Sequence, residues 1–414
     1  MSRLQVSPRH SATNYRGKYS VESILNSDLS SLCFYAAYIA WLAFGILNAS
    51  MFAQYINGTP YNTVRVMCYA LLLFSLLLES RQRIRSLPSV AIVLVLAVSA
   101  VQFDRLVILD TVAFVFCGRY RNFDTIMRLT IGIVSTLVAL VVISSQLGII
   151  PDYLIGSVGN RLRHYLGFRY TLRGPQLILL VTLLVVAMRR GRLFLWDAVI
   201  LLAANAFFYY YTDSRTIFIL SLMAILGCSV FATFTQRAAL SAGGGYLFIA
   251  SFVVFAIVSI AVTALYDPTI PWMYTLNSSD LLAGRLSMGK YAMDTYGVTL
   301  LGQPIEFIGR GLDLYGQRYA GTFFYLDSLY VRMLINYGVA LLLVYIIGMS
   351  IACAEAWRNR QWWIVFIIGL LAVHCVMDDL SMYLTYNTFL FLIGMIGISS
   401  AGKTTASSNG TNRG

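Results

Sequence analysis

The sequence predicts an all-α integral-membrane protein with about twelve transmembrane helices. Of its 414 residues, 58% are hydrophobic and only 12% are charged, which is more apolar surface than a soluble chain of this length can bury. The apolar residues are gathered into runs close to bilayer length. The sequence lacks the alternating segments of about ten residues that a membrane β-barrel requires, so a helical bundle is expected.

The predicted spans divide the chain into a cytoplasmic N-terminal tail (1–31), a polytopic membrane domain (32–399) and a polar C-terminal tail (400–414) that we expect to be disordered. The third and fourth spans are short and also fit a re-entrant pair, which leaves the topology unchanged. The spans cover roughly residues 32–52, 63–79, 88–103, 105–118, 126–150, 174–188, 194–211, 216–235, 246–266, 327–354, 361–377 and 385–399.

The short loops between spans predict the orientation. Basic residues gather in the N-terminal tail and in the loops after spans two, four, six, eight and ten, so both termini are predicted to be cytoplasmic. The net charge of +12 then reflects topology, and nucleic-acid binding is not expected. Residues 1–31 contain no apolar signal-peptide core, so span one is expected to act as its own insertion signal. These basic residues are Arg3, Arg9, Arg16, Lys18, Arg81, Arg83, Arg85, Arg119, Arg121, Arg189, Arg190, Arg192, Arg237, Arg358 and Arg360.

The six cysteines fall within or at the edge of apolar spans, and none forms a Cys-x-x-Cys pair. This pattern predicts small core residues rather than a zinc site or a disulfide framework. The residues are Cys33, Cys68, Cys117, Cys228, Cys353 and Cys375.

One predicted outer loop, residues 151–173, is rich in arginine, although loops that cross a bilayer are normally poor in basic residues. It carries Arg161, Arg163, Arg169 and Arg173. Arginine placed against that trend indicates an anionic ligand outside the membrane, and we expect a lipid-linked pyrophosphate. For any one of these residues, the alternative is a contact with solvent or a lipid headgroup.

The second predicted outer loop, residues 267–326, is too long to be structureless. Asn277 and Ser278 are predicted to cap a helix that runs to Gly297. Charges of both signs occur along the loop, and a groove with both signs suits a ligand that is part sugar and part phosphate. A solvated extracellular cap is the alternative.

Three stretches together resemble the Wzy-type polysaccharide polymerases, a family related to the O-antigen ligases. The first is Arg-x-x-x-x-Leu-Gly-Phe within 161–168, the second is Thr-Asp-Ser-Arg-Thr at 212–216, and the third is Tyr-Leu-Asp-Ser-Leu-Tyr at 325–330. With the span count and the long late loop, the resemblance covers about residues 30 to 400. The chain departs from the family at 170–172, where relatives often read His-Pro-Asn, and at Ser328, where Asn is common.

The resemblance implies a GT-C-like glycosyltransferase bundle in the bacterial plasma (inner) membrane. Such an enzyme moves a growing glycan from one undecaprenyl pyrophosphate carrier to the terminal sugar of another carrier-linked repeat unit. It needs no cofactor, and the sequence has no glycine-rich phosphate loop for a nucleotide sugar. The resemblance also implies a chain-length regulator and a flippase as partners, besides the surrounding membrane lipids.

In this chemistry, negative charge develops on the pyrophosphate leaving group, and either arginine or a metal can stabilise it. The planar guanidinium pairs with phosphate through two hydrogen bonds, so we expect arginine and no metal. Arg215 has Asp213 as its expected partner, because it lies in an apolar stretch where an unpaired charge is costly. The predicted pyrophosphate-binding residues are Arg161, Arg163, Arg169, Arg173, Arg215, Arg285 and Arg310.

The acceptor hydroxyl needs a base or an orienting carboxylate. His374 and Asp378 are four residues apart at the outer end of span eleven, so they would share one helix face and form the leading base pair. Asp327 is the second candidate. A hydrogen-bond network at a helix end is the alternative interpretation. Asp378 and Asp379 could instead hold a divalent cation, but adjacent helical side chains diverge by about 100°.

Two other functions remain open from the sequence. A ligase that passes the same glycan to a different acceptor shares the leaving group, so charge placement does not separate it from a polymerase. A lipid-linked oligosaccharide flippase or other transporter would use intramembrane charge, and Asp110 is the residue that favours this class. We expect Asp110 to pair with a Ser, Thr or Arg of a neighbouring span. Most polar residues lie in outer loops and at outer helix ends, which favours an enzyme over a transporter.

Overall fold

The computed structural model describes residues 21–79, 106–156, 162–228, 230, 242–279 and 282–396. This part of the chain is mostly helical, with one two-stranded antiparallel hairpin, β1 (Leu154–Gly156) and β2 (Leu162–His164). The helices are α1 Val21–Asn48, α2 Ala53–Ile56, α3 Thr59–Leu77, α4 Leu106–Gly118, α5 Phe123–Gln146, α6 Arg173–Met188, α7 Leu195–Thr212, α8 Arg215–Leu222, α9 Ala242–Ile249, α10 Ser251–Ala264, α11 Pro271–Ser278, α12 Arg285–Tyr296, α13 Leu329–Arg332, α14 Gly338–Arg358, α15 Trp362–Met377 and α16 Phe391–Gly394.

Four helical segments in the described residues are long and apolar enough to cross a membrane, namely Asp28–Asn48, Thr59–Leu77, Phe123–Gln146 and Leu329–Arg358. The last joins α13 and α14 through a π-helical turn, Met333–Tyr337. Shorter apolar helices accompany them, and the whole fits an all-α membrane protein. The expected twelve bilayer-length helices are not found in the described part, because many apolar runs form helices of fewer than 18 residues. Predicted span three lies outside the described residues.

The prediction of a twelfth helical span over 385–399 is wrong for the residues that the structure describes. The backbone of Asn387 leaves the helical region, with φ −146° and ψ 83°. Its side chain accepts a hydrogen bond from the Phe389 backbone N–H at 3.2 Å and donates to the Ser381 carbonyl at 2.9 Å. Asn387 therefore begins a short 3₁₀ turn, and the helix that follows starts only at α16.

Three irregular segments meet at one end of the bundle, which we call the loop end: residues 147–172, 265–328 and 378–390. Tyr165 Oη donates to the Arg310 carbonyl at 3.0 Å, which joins the first segment to the second. Tyr325 Oη donates to Asp379 Oδ2 at 3.1 Å, which joins the second to the third. The two predicted outer loops therefore contact each other directly.

The long segment contains two helices, α11 and α12, instead of the single predicted helix from Asn277. Asn277 lies inside α11, yet its side-chain oxygen accepts from the backbone N–H groups of Leu286 and Ser287 at 3.0 and 3.3 Å. It therefore caps the first turn of α12 from a neighbouring helix. The predicted end at Gly297 is confirmed, with φ +69°, a conformation that favours glycine.

All six cysteines are buried and free of disulfides, as predicted for core residues. Asp110 is also buried, and α3 supplies its partners. Arg65 donates from Nε to Oδ1 at 3.0 Å and from Nη2 to Oδ2 at 2.6 Å, and the Tyr69 hydroxyl donates to Oδ1. The expectation that Asp110 pairs with a neighbouring span is confirmed, and the pair fastens α4 to α3.

We predict that Asp110→Leu lowers the free energy of unfolding by about 3–5 kcal/mol, because it leaves the charge of Arg65, whose side chain is 13% exposed, without its carboxylate. The double variant Arg65→Met with Asp110→Leu should recover most of this loss. Unfolding of the detergent-solubilised protein measures both effects. Asp294→Asn, in an exposed pair with Lys290, is the matched control and should stay within about 0.5 kcal/mol of wild type. Equal loss in the single and double variants would contradict the ion-pair explanation.

Candidate functional site

At the loop end, charged residues from the second and third of these segments and from α13 form the acid–arginine cluster, which we define as Arg285, Asp327, Arg332, Asp378 and Asp379. Arg285 begins α12, Asp327 precedes α13, and Arg332 ends α13. Asp378 and Asp379 directly follow α15. Residues that are far apart in sequence are thus brought together where the apolar helices meet the loops.

Arg332 and Asp379 form the most enclosed pair of the cluster, with 8% and 4% of each residue exposed. Arg332 Nη1 donates to Asp379 Oδ2 and, at 2.6 Å, to Tyr325 Oη. The guanidinium carbon lies 4.7 Å from the ring centres of both Phe307 and Tyr325. Two aromatic faces and a carboxylate therefore fix the position of this arginine.

The second pair, Arg285 and Asp327, is more open. Arg285 Nε lies 3.1 Å from Asp327 Oδ2, and the two side chains are 22% and 29% exposed. Burial raises the pKa of Asp327, and the charge of Arg285 opposes that rise. Asp327, the second candidate base from the sequence, is therefore held by one of the predicted arginines.

The predicted pairing of His374 with Asp378 has a different geometry from the one expected. Helix α15 ends at Met377, and Asp378 has extended backbone angles, φ −145° and ψ 135°. His374 Nε2 lies 3.9 Å from Asp378 Oδ1, whereas it contacts the Gln176 side-chain amide at 2.7–3.0 Å. Asp378 instead accepts from the Leu380 backbone N–H at 2.7 Å. Since His374 is fully buried against Gln176, Asp378 is the better placed of the two for a reaction.

Asp378 and Asp379 are both buried carboxylates on consecutive residues. Burial raises the pKa of each, because the charged form loses its hydration. Arg332 lowers the pKa of Asp379, whereas the strongest opposing contact of Asp378 is the backbone N–H of Leu380. Raised carboxyl pKa values in such a cluster are typical of sites that exchange protons near neutral pH.

The arginine-rich loop contributes two side chains to the neighbourhood of the cluster. Arg173, the first residue of α6, hydrogen-bonds to Tyr386, and its Nε has no hydrogen-bond partner within the described residues. The pKa of the Tyr170 hydroxyl is raised by burial and by the nearby carboxylates of Asp327 and Asp378. Tyr170 thus lies beside the acids of the cluster.

Other predicted arginines lie elsewhere. Arg163, on β2, is 3.5 Å from Asp213 Oδ2, and Arg215 Nε is 3.2 Å from Asp213 Oδ1. The expected Asp213–Arg215 pair is confirmed, but the Arg215 side chain is 45% exposed at the start of α8 and is not embedded in apolar surroundings. The left-handed turn at Asp213, which ends α7, places Arg215 at the first residue of α8.

Arg169 connects the two loops, whereas the Arg310 side chain contacts its own loop. Arg169 Nε donates to the Leu312 carbonyl at 3.0 Å, and Arg169 Nη2 donates to Tyr319 Oη at 3.2 Å. The Arg310 guanidinium carbon lies 5.0 Å from the centre of the Phe323 ring. Arg161 lies outside the described residues. The arginines of one loop thus have separate partners.

Sequence reasoning missed Arg332 and the aromatic residues that hold it. The signal was present, because Arg332 is a charge within an apolar span, the same property that drew attention to Asp110. Asp379 was considered only as a metal ligand. In the described part of the chain, no three His, Cys, Asp or Glu side chains are grouped so as to hold a metal ion.

The chain matches no protein-family model, no curated protein and no solved structure.

We predict that Asp378→Asn stabilises the protein more at about pH 8 than at about pH 5. A carboxyl whose folded pKa is raised contributes stability at low pH, and that stability is lost as the pH rises through the folded value. The amide removes this titration. Thermal unfolding of both proteins across this range measures the difference, with Asp294→Asn as the exposed control. A pH-independent difference between wild type and Asp378→Asn would contradict the prediction.

Proposed function

We propose that this protein is a membrane-embedded glycosyltransferase that polymerises undecaprenyl-pyrophosphate-linked repeat units on the outer face of the bacterial plasma membrane. The observation that carries the proposal is the acid–arginine cluster, which places carboxylates and guanidiniums together at the junction of loops and apolar helices. A lipid-linked substrate presents its pyrophosphate and first sugars at that level of the membrane. The cluster offers the two kinds of group that this reaction needs.

The proposed reaction forms a bond between an acceptor hydroxyl oxygen and the anomeric carbon of the donor. The bond between that carbon and the pyrophosphate oxygen breaks, and its electron pair leaves with the carrier. Arg285 is the best placed to stabilise the leaving group, because its side chain is 22% exposed and accessible from the loops. Arg173 and Arg332 add positive charge from deeper positions, and no metal is required.

The proton of the acceptor hydroxyl passes to a carboxylate. Asp327 is the leading base, since it is 29% exposed and already beside Arg285. When Arg285 moves to the pyrophosphate, it releases Asp327, so one rearrangement prepares both the leaving group and the base. Asp378, with its raised pKa, is the second carboxylate and lies on the buried side of the cluster.

In the proposed membrane topology, the loop end and the chain termini lie on opposite sides of the membrane. The loop end is assigned to the outside and the buried pair of Arg119 with Glu79, at 2.7 Å, to the cytoplasmic side together with both chain termini. The GT-C-like arrangement with about twelve spans belongs to the proposal too, as do a flippase and a chain-length regulator as partners. A transporter is less favoured, because Asp110 is fully engaged by Arg65 and Tyr69.

The test is a polymerisation assay with purified protein and one undecaprenyl-pyrophosphate repeat unit, with and without a chelator. We predict that Arg285→Gln lowers the rate about 100- to 1,000-fold, the usual effect of removing one donor to a developing negative charge. Arg318→Gln is the matched control, because it removes an exposed arginine from the same segment and should keep wild-type activity.

Each outcome separates the competing functions. A ladder of products that survives the chelator and disappears in Arg285→Gln supports the proposal. A chelator-sensitive ladder would move the charge stabilisation to a metal, and transfer to another acceptor without a ladder would indicate a ligase. If the protein moves the lipid-linked unit across vesicles without joining units, the polymerase proposal is wrong.

A further inference from the structure

A cavity of about 480 Å³ opens beside the acid–arginine cluster. Its volume falls in the range of about 300–1,000 Å³ that is usual for small-molecule pockets. The walls come from a loop segment, residues 304–307, and from the π-helical turn between α13 and α14. The lining residues are Pro304, Ile305, Glu306, Phe307, Arg332, Asn336 and Tyr337.

Hydrogen bonds fix the loop wall, residues 304–307, at both of its ends. Directly before this segment, Gln303 donates from its backbone N–H to the Asn336 carbonyl at 3.1 Å and from Nε2 to the Ile335 carbonyl at 3.3 Å. Directly after the segment, Ile308 and Phe324 exchange two backbone hydrogen bonds of 3.0 Å. The carbonyls of Ile335 and Asn336 belong to the π-helical turn, and they accept the hydrogen bonds that attach the loop wall to it.

Glycine allows the two walls to approach so closely. Gly338 has φ +88°, and a Cβ atom there would lie 2.3 Å from the Gly302 backbone nitrogen. A Cβ atom on Gly302 would lie 2.4 Å from the Asn336 carbonyl oxygen. The chain therefore crosses itself at a point where only glycine fits, next in sequence to both walls of the cavity.

The Nε–H group of Arg332 donates no hydrogen bond to the other residues of the acid–arginine cluster. The residue is more than nine-tenths buried and lines the cavity, yet its Nε has no hydrogen-bond partner within the described residues. Both of its hydrogen bonds to Asp379 and Tyr325 leave from Nη1. A buried N–H without an acceptor is costly, so an acceptor supplied by a ligand would be stabilising.

The charge of the cavity indicates the class of that ligand. Asp379 neutralises Arg332, and the exposed carboxylate of Glu306 adds a negative charge. An anion is therefore disfavoured here, in contrast to the neighbourhood of Arg285. A ligand with hydroxyl and carbonyl groups on a neutral ring matches the mixture of Pro304 and Ile305 with polar side chains.

We propose that this cavity is a subsite for a neutral sugar of the glycan chain, with Arg332 Nε donating to a sugar oxygen and Glu306 accepting from a sugar hydroxyl. The assignment of the glycan as part of the substrate rests on the proposed function. The subsite separates the recognition of sugar from the recognition of pyrophosphate. Sugar would be selected at 304–307, and the carrier would be bound on the Arg285 side of the cluster.

The test uses the full-length protein in lipid nanodiscs on an array of printed neutral, phosphorylated and sialylated oligosaccharides. We expect retention on one or more neutral glycans. Ile305→Trp, which fills the cavity, should abolish retention, and Glu306→Gln should weaken it about 3- to 10-fold through the loss of one hydrogen-bond acceptor. Asp294→Asn, an exposed acid outside the cavity, should bind as wild type does.

Retention of charged glycans alone, retention of no glycan, or retention that Ile305→Trp leaves unchanged would each overturn the subsite. Size-exclusion profiles and thermal unfolding confirm that the variants are folded. The polymerisation assay then distinguishes the two proposals. Neutral-glycan binding without any transfer would reject the enzyme and keep the subsite, whereas polymerisation at the wild-type rate by Ile305→Trp would reject the subsite and keep the enzyme.

Discussion

The burial of the Arg332–Asp379 pair is the constraint around which the loop end is organised. Removing two charges from water costs several kcal/mol per ion, and only close geometry and further hydrogen bonds offset that cost. The chain meets this requirement with residues of the long segment 265–328: Tyr325 bonds to both charges, and Phe307 covers one face of the guanidinium. Each contact therefore fixes another part of the loops. Phe307 and Arg332, which these contacts position, also line the cavity.

The same requirement explains how the helices of the bundle are joined. Asp110 and Arg65 connect α4 to α3 in the apolar interior, and Glu79 and Arg119 connect α3 to the end of α4 with both side chains 3% exposed. Helices in lipid gain little from apolar contact with one another, because lipid tails are equally apolar. Paired charges therefore specify which helices lie next to each other. Hydrophobic burial alone does not specify this in lipid.

Composition and apolar runs were sufficient to predict the helical membrane class, the buried cysteines and the pairing of Asp110 with a neighbouring span, because these depend on local sequence and on the cost of burying charge. Positions in space were harder to predict. Arg163 and Arg169 are six residues apart, yet one contacts Asp213 and the other contacts the Leu312 carbonyl. The apolar span around Arg332 marks it as a residue of interest, but only the tertiary fold brings its partner Asp379, 47 residues away, into contact. Sequence clustering therefore does not predict a spatial cluster when the residues lie in loops.

In the proposed reaction, the contrast between the two arginine pairs decides which pair can take part in the chemistry. Arg332 is bound to Asp379 within an enclosed site, so separating the two would leave both charges without water or a partner. Arg285 and Asp327 are partly hydrated, and solvent compensates each charge during a separation. An incoming pyrophosphate brings negative charge, and Arg285 can transfer its hydrogen bonds to that charge at small cost. The carboxylate it leaves is then available to accept a proton. In the proposed reaction the buried pair thus holds the site in shape, and the open pair carries out the exchange.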